Sequence, residues 1–130
     1  MKKKILIFGG TGTIGFSTAK NLKNDGYEPI LISRNTEELE NKSKQINCNY
    51  ETCDILDSEK IIEISNKHAD EIIGLAYCVG SINLRPLKIT KDDDFIDSFK
   101  INTLGAINAI KANLTSLHNN NGSVLLFSTI

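Results

Sequence analysis

A short apolar run, Ile5-Leu6-Ile7-Phe8, passes directly into Gly9-Gly10-Thr11-Gly12-Thr13-Ile14-Gly15, after which Ile14, Thr18, Ala19 and Leu22 recur at helical spacing. That order of residues specifies a buried strand turning through glycine into a helix. Gly9 would permit the tight turn, Gly12 would let main chain come close to a ligand, and Gly15 would let the helix pack on the strand. The start of the helix then aims free N–H groups and the positive end of its dipole at an anion. Gly9, Thr11, Gly12, Thr13, Ile14 and Gly15 are therefore the first candidate binding residues, for the pyrophosphate of a dinucleotide. The competing interpretation, a glycine-rich turn with no ligand, is weakened because three glycines at this spacing directly after a first strand are uncommon by chance.

The rest of the chain repeats the strand-then-helix pattern. Short runs at Pro29 to Ser33, Asn49 to Cys53, Ile72 to Tyr77 and Val124 to Phe127 predict four further strands. Between them lie one helix face at Leu39, Ser43 and Ile46, and another at Ile61, Ile62, Ile64 and Ser65 that is capped by Asp57 or Ser58. The last crossover is longer, a helical stretch starting at Asp92 to Ile96 and continuing from Phe99 to Leu117 before the turn Asn119-Asn120-Asn121-Gly122. Alternation of this kind implies an α/β fold, a doubly wound parallel sheet covered on both faces, with right-handed crossovers. The runs are continuous rather than alternating, as burial on both faces requires. A length of 130 residues fits one domain spanning 1–130.

Composition excludes several other classes. Net charge is −1, from 15 Lys and Arg against 16 Asp and Glu, so no nucleic-acid partner is expected. The opening Met1-Lys2-Lys3-Lys4 is followed by an apolar run that stops at Gly9, short of the roughly 7–15 residues of a secretion signal. No stretch approaches the ~18 apolar residues of a membrane span, and a soluble, cytoplasmic protein without a membrane partner is expected. Cys48, Cys53 and Cys78 form no C-x-x-C pair and fit buried reduced thiols better than a disulfide framework or a zinc site. The Asn-x-Ser/Thr triplets at Asn41, Asn113 and Asn121 carry no weight without a secretory route.

The end of the second strand bears on the choice of nucleotide. About 20 residues past such a loop, an acid on the ribose hydroxyls favours NAD, and an arginine accommodates the 2′-phosphate of NADP. This chain has Ser33, Arg34 and Asn35 there, with no acid at the strand end. An arginine holds a phosphate through paired, charge-assisted hydrogen bonds. NADP is the expected cofactor and NAD the second choice, the alternative for Arg34 being an ordinary solvated surface residue.

Four more segments follow in a fixed order: Cys53-Asp54-Ile55-Leu56-Asp57, Tyr77-Cys78-Val79-Gly80, Lys100-Ile101-Asn102-Thr103-Leu104-Gly105, and Gly122-Ser123-Val124-Leu125-Leu126-Phe127-Ser128-Thr129. With the glycine loop, they resemble the short-chain dehydrogenase/reductase family over the whole chain. The resemblance implies a Rossmann fold with strands 3-2-1-4-5, incomplete beside a family sheet that continues to strands 6 and 7. It also implies roles. Asp54, with Ile55 beside it, would accept a hydrogen bond from the adenine amino group. Cys78, Val79 and Gly80 would stand beside the cofactor, in the place of the family's Asn-Asn-Ala-Gly. Asn102 would support a proton-relay water, and Thr129 by register, or Ser128 before it, would stand for the catalytic serine.

The departures matter as much. The loop has Thr13 where the family has its second glycine, and its Gly-x-x-Gly-x-x-Gly spacing is similar to that of the extended or atypical branches. The family's Tyr-x-x-x-Lys pair, which supplies the general acid or base, would lie shortly beyond Thr129. Tyr27, Tyr50 and Tyr77 have no lysine four residues on. The expectation is an amino-terminal portion, inactive alone, of a protein of roughly 230–250 residues, whether an expressed fragment, a proteolytic remnant or a truncated product. Strand 5 would then be an unpaired edge and one face of the Phe99 to Leu117 helix would lack its partner. By resemblance the parent would be an NADP(H)-dependent oxidoreductase interconverting ketone and secondary alcohol. It would act on a small-molecule carbonyl or alcohol substrate and form a homo-oligomer, dimer or tetramer. The alternative is a non-catalytic dinucleotide-binding or regulatory module of the atypical type.

Overall fold

The computed structural model describes residues 2–128. Strands β1 (Lys4–Phe8), β2 (Glu28–Ser33), β3 (Asn49–Thr52), β4 (Ile72–Tyr77) and β5 (Ser123–Leu126) alternate with helices α1 (Thr13–Asn24), α2 (Thr36–Ile46), α3 (Ser58–His68), α4 (Asp92–Phe99) and α5 (Gly105–Asn119). Every pairing is parallel and the sheet order is β3-β2-β1-β4-β5, the expected arrangement. The chain winds outward from β1 to β3, then returns through α3 to β4 on the other side of β1. At that reversal the loops leaving β1 and β4 part and open a crevice.

Register decides which face each side chain serves. Ile7 pairs with Leu31 of β2 and Ala76 of β4, and these three pack with Phe16 and Ala19 of α1 and Leu39 of α2. One residue away, Leu6, Phe8, Ile30, Ile32, Leu75 and Tyr77 face Ile61 and Ile64 of α3 and Ala109 and Leu117 of α5. β1, β2 and β4 are thus buried on both sides, as their continuous apolar runs require. The outer strands differ from that expectation. β3 is an edge carrying Asn49, Glu51 and Thr52, while β5 is apolar yet exposed at Val124, Leu125 and Leu126, as is Phe127 after it.

Helix ends follow from local chemistry. Asn35 caps α2, its Oδ1 accepting from Glu38 N at 3.1 Å, and Asp57 rather than Ser58 caps α3, accepting from Lys60 N at 3.0 Å. Beyond α5, Asn120 Nδ2 donates to the Ile72 carbonyl at 2.8 Å and ties the turn to the start of β4. Asn113 is fully buried on α5, its Nδ2 donating to the Ala109 carbonyl, so that triplet is no glycosylation acceptor.

One expectation is corrected. The stretch from Phe99 to Leu117 is not a continuous α-helix: a π turn, Lys100–Leu104, separates α4 from α5. Hydrophobic spacing did not mark it, because one inserted residue shifts the phase of a helix without breaking its polarity pattern.

At the end of the sheet where β1 begins, a charged network joins three elements. His68 is buried, with Nε2 2.9 Å from Glu51 Oε1 and Nδ1 3.2 Å from Lys4 Nζ. Lys4 also pairs with Glu71 at 2.8 Å and Lys67 with Glu51 at 2.5 Å.

Candidate functional site

The crevice at the ends of β1, β2, β3 and β4 is a cleft of about 560 Å³. Its centre is the glycine loop. Gly9 has φ +77°, and both Gly9 N and Gly10 N donate to the Ile32 carbonyl, at 2.9 and 3.2 Å, which pins the turn to β2. A Cβ on Gly9 would lie 2.7 Å from the carbonyl carbon and oxygen of Cys78. Gly15 lies so close to the Gly9 carbonyl that α1 begins directly under the turn.

α1 differs from α2 and α3 at its start. Gly12 is its N-cap and supplies no side-chain hydrogen bond, and no acid stands in its first turn. Among the described residues no side chain accepts from the donors of that turn, which lies beside a cleft that Gly12 lines. A Cβ on Gly12 would meet only the Gly9 carbonyl oxygen, at 3.5 Å. A phosphate could therefore approach main chain here, and the residues present fit one.

One wall of the cleft comes from β2 and β3. Thr11, Ser33, Arg34, Asn35, Asp54 and Ile55 all line it, and Thr11 Oγ1 donates to Ser33 Oγ at 3.3 Å. Asn35 has its Oδ1 committed to the α2 cap, and one Asp54 oxygen accepts from Leu56 N at 2.9 Å. Glu38, missed from the sequence, also lines this wall. Its signal was present in Asn35 three residues before a glutamate, the pattern that puts residue 38 in the first turn of α2.

The other wall comes from β4 and the π turn. Cys78, Val79 and Gly80 line it, joined by Ser81 and Ile101, neither of which was among the expected binding residues. Burial pushes the Cys78 thiol up to about 11 and, chiefly by burial and then by Asp57 and Asp54, the Cys53 thiol up to about 11. Both are neutral and poor nucleophiles. Asn102 stands behind this wall, its Oδ1 accepting from Ser81 N and its Nδ2 donating to Ser81 O, each at 2.8 Å. Tyr77 donates its hydroxyl to the Ile101 carbonyl, and burial raises that hydroxyl to about 12, so it stays a donor.

Some expected site residues fall outside the cleft lining. Thr13, Ile14 and Gly15 form the first turn of α1, with Ile14 about half exposed. Ser128 is exposed just past β5, and Thr129 lies outside the described residues.

Comparison with known proteins agrees with this architecture. The family model described as short chain dehydrogenase matches residues 3–130. A 3-oxoacyl-[acyl-carrier-protein] reductase of Mus musculus is 27% identical over 136 residues, covering 100% of this chain and 57% of that protein. An uncharacterized oxidoreductase of Listeria monocytogenes is 26% identical, covering 98% of this chain and 55% of that one. The chain thus spans about half the length of the curated relatives it matches. The solved alcohol dehydrogenase of the archaeon Thermococcus sibiricus, complexed with 5-hydroxy-NADP, superposes with TM-score 0.88 at 24% identity, covering 97% of this chain and 57% of that one. Among the described residues no helix is long and apolar enough to cross a membrane. A glycine turn under an uncapped helix, set where the sheet reverses direction, and a family match over nearly every residue lead to one conclusion: the chain belongs to the short chain dehydrogenase family.

Proposed function

We propose that the protein is an NADP(H)-dependent oxidoreductase that interconverts a ketone and a secondary alcohol, and that residues 1–130 form its single nucleotide-binding portion. The observation that carries this is the uncapped start of α1 facing a cleft beside a glycine with no side chain. Thr11, Gly12 and the first turn of α1, Thr13 to Gly15, would hold the diphosphate. Ser33, Arg34 and Asn35 would hold the adenosine ribose with its 2′-phosphate, while Asp54 and Ile55 bound the adenine. Cys78, Val79 and Gly80 would flank the rest of the dinucleotide. The bound nicotinamide supplies or accepts the hydride.

The proton side of the reaction needs groups near the carbonyl oxygen. Ser128 or Thr129 would donate a hydrogen bond to it, and Asn102 would hold a relay water with what its Ser81 pairing leaves free. A Tyr-x-x-x-Lys pair beyond residue 130 would complete the transfer. The names of the two curated relatives, a reductase and an oxidoreductase, support this class. We place the protein in the cytoplasm as a dimer or tetramer, since exposed Phe95, Phe99, Ile107 and Leu114 give α4 and α5 an apolar outer surface suited to association.

Titration by nucleotide fluorescence tests the assignment. NADPH is expected to bind at least about tenfold tighter than NADH. Arg34→Gln should weaken NADPH by about 10- to 100-fold and leave NADH within about twofold. Glu38→Gln should act in the opposite sense, because a carboxylate on the same wall repels a 2′-phosphate. Tighter NADH binding would remove the NADP assignment, and binding of neither nucleotide would remove the function. Binding without turnover of any ketone by the full-length protein would favour the regulatory module.

A further inference from the structure

The π turn is tied to the end of β4 at two adjacent residues. Tyr77, the last residue of β4, is 5% exposed, with its ring packed 6.3 Å from that of Phe8 and its hydroxyl donated to the Ile101 carbonyl. The next residue, Asn102, is doubly hydrogen-bonded to Ser81. Directly above the Tyr77 hydroxyl lies Gly105, where a Cβ would overlap that oxygen and come 2.7 Å from Ile55 Cγ1. We propose that Tyr77 is a positioning residue: its hydroxyl, seated in the space left by Gly105, fixes the register of the π turn and so sets the Ile101, Ser81 and Gly80 wall of the cleft. The consequence for binding rests on the nucleotide assignment above.

The physical reason is that a π turn is one extra residue in a helix, and nothing intrinsic to the helix decides where that residue sits. Moving it by one position turns the intervening side chain by about 100° around the axis. Asn102 would then swing away from Ser81 and both main-chain bonds would be lost. A donor from the sheet to the Ile101 carbonyl selects one register. The hydroxyl is the only polar atom of the Tyr77 side chain, so phenylalanine removes the anchor and keeps the ring packing against Phe8.

Amide hydrogen exchange on the protein with and without Tyr77→Phe is the direct test. Exchange at residues 101–105 is expected to quicken by about tenfold, with β1 and β2 unchanged. NADPH should bind about three- to tenfold more weakly. Adenosine 2′,5′-bisphosphate should bind as before, because the Arg34 and Asp54 wall lies across β1 from β4. A general loss of stability would weaken both ligands. Gly105→Ala should quicken the same amides in the wild type, and less so in the Tyr77→Phe background, where the hydroxyl it displaces is already gone. Unchanged exchange in Tyr77→Phe, additive effects in the double variant, or equal weakening of both ligands would each overturn the proposal. If the wild type binds neither ligand, the nucleotide assignment is what fails, and the exchange measurements still decide whether Tyr77 anchors the turn.

Discussion

Gly9→Ala is expected to cost about 2–4 kcal/mol of folding stability and to abolish nucleotide binding. Two effects add at this residue. Its φ of +77° is one that alanine adopts only under strain, and the new Cβ would sit 2.7 Å from main-chain atoms of Cys78, which β4 holds in place. Neither backbone can yield without breaking the bonds from Gly9 N and Gly10 N to Ile32 that fix the turn. Gly12→Ala is the control, since its Cβ faces open space except for Gly9 O at 3.5 Å. It should leave the urea midpoint within about 0.5 kcal/mol of wild type while reducing NADPH affinity by removing the approach to main chain. Equal stability losses in the two variants would mean that the loop is a structural turn and nothing more.

Glu51→Gln is expected to destabilise the protein by about 1.5–3 kcal/mol at pH 7 and to flatten its acid limb. Burial by itself would raise the Glu51 carboxyl, but hydrogen bonds from Lys67 and His68, with their charges, outweigh it and hold the group below its ordinary 4.5. A carboxylate lowered in the folded state stabilises it above the unfolded value, and that contribution disappears as pH falls through the lower, folded value. Wild-type stability attributable to Glu51 should therefore be constant from pH 7 to about 5 and decline below about 4.5. Glutamine removes this decline and leaves Lys67 without its carboxylate partner beside His68. Glu71, lowered by its bonds to Lys4 and Lys2, keeps part of the acid slope. Urea midpoints at pH 3.5, 5 and 7 check this, and parallel curves for wild type and variant would show that Glu51 titrates normally.

The inner part of this fold was legible because each relevant signal is local. Ile5 to Phe8 running into Gly9 specified strand, turn and helix in one segment, and Asn35 and Asp57 marked two helix starts with a single side chain each. Most of the cleft followed for the same reason: Arg34, Asp54 and Gly80 stand at strand ends, and a parallel sheet collects its strand ends at one rim. What could not be read depends on long-range packing. The π turn is tied to β4 by a bond between residues 77 and 101, and Ser81 and Ile101, far apart in sequence, meet at the cleft. Glu38 is a different case: it lies in the first turn of α2, beyond the Ser33-Arg34-Asn35 segment at the strand end, yet shares the same wall. β3 also shows the limit of hydrophobicity as a guide: with a single neighbour, it forms from Asn-Tyr-Glu-Thr.

The two borders of the sheet are unequal. The β3 border is guarded by polar side chains that discourage another strand from joining, whereas the β5 border offers open main chain flanked by Val124, Leu125 and Leu126. Growth by strand addition, whether from the same polypeptide or another, is thereby directed to a single flank, the one remote from Arg34 and Asp54. A strand added on that flank would leave the rim that carries Arg34 and Asp54 unaltered.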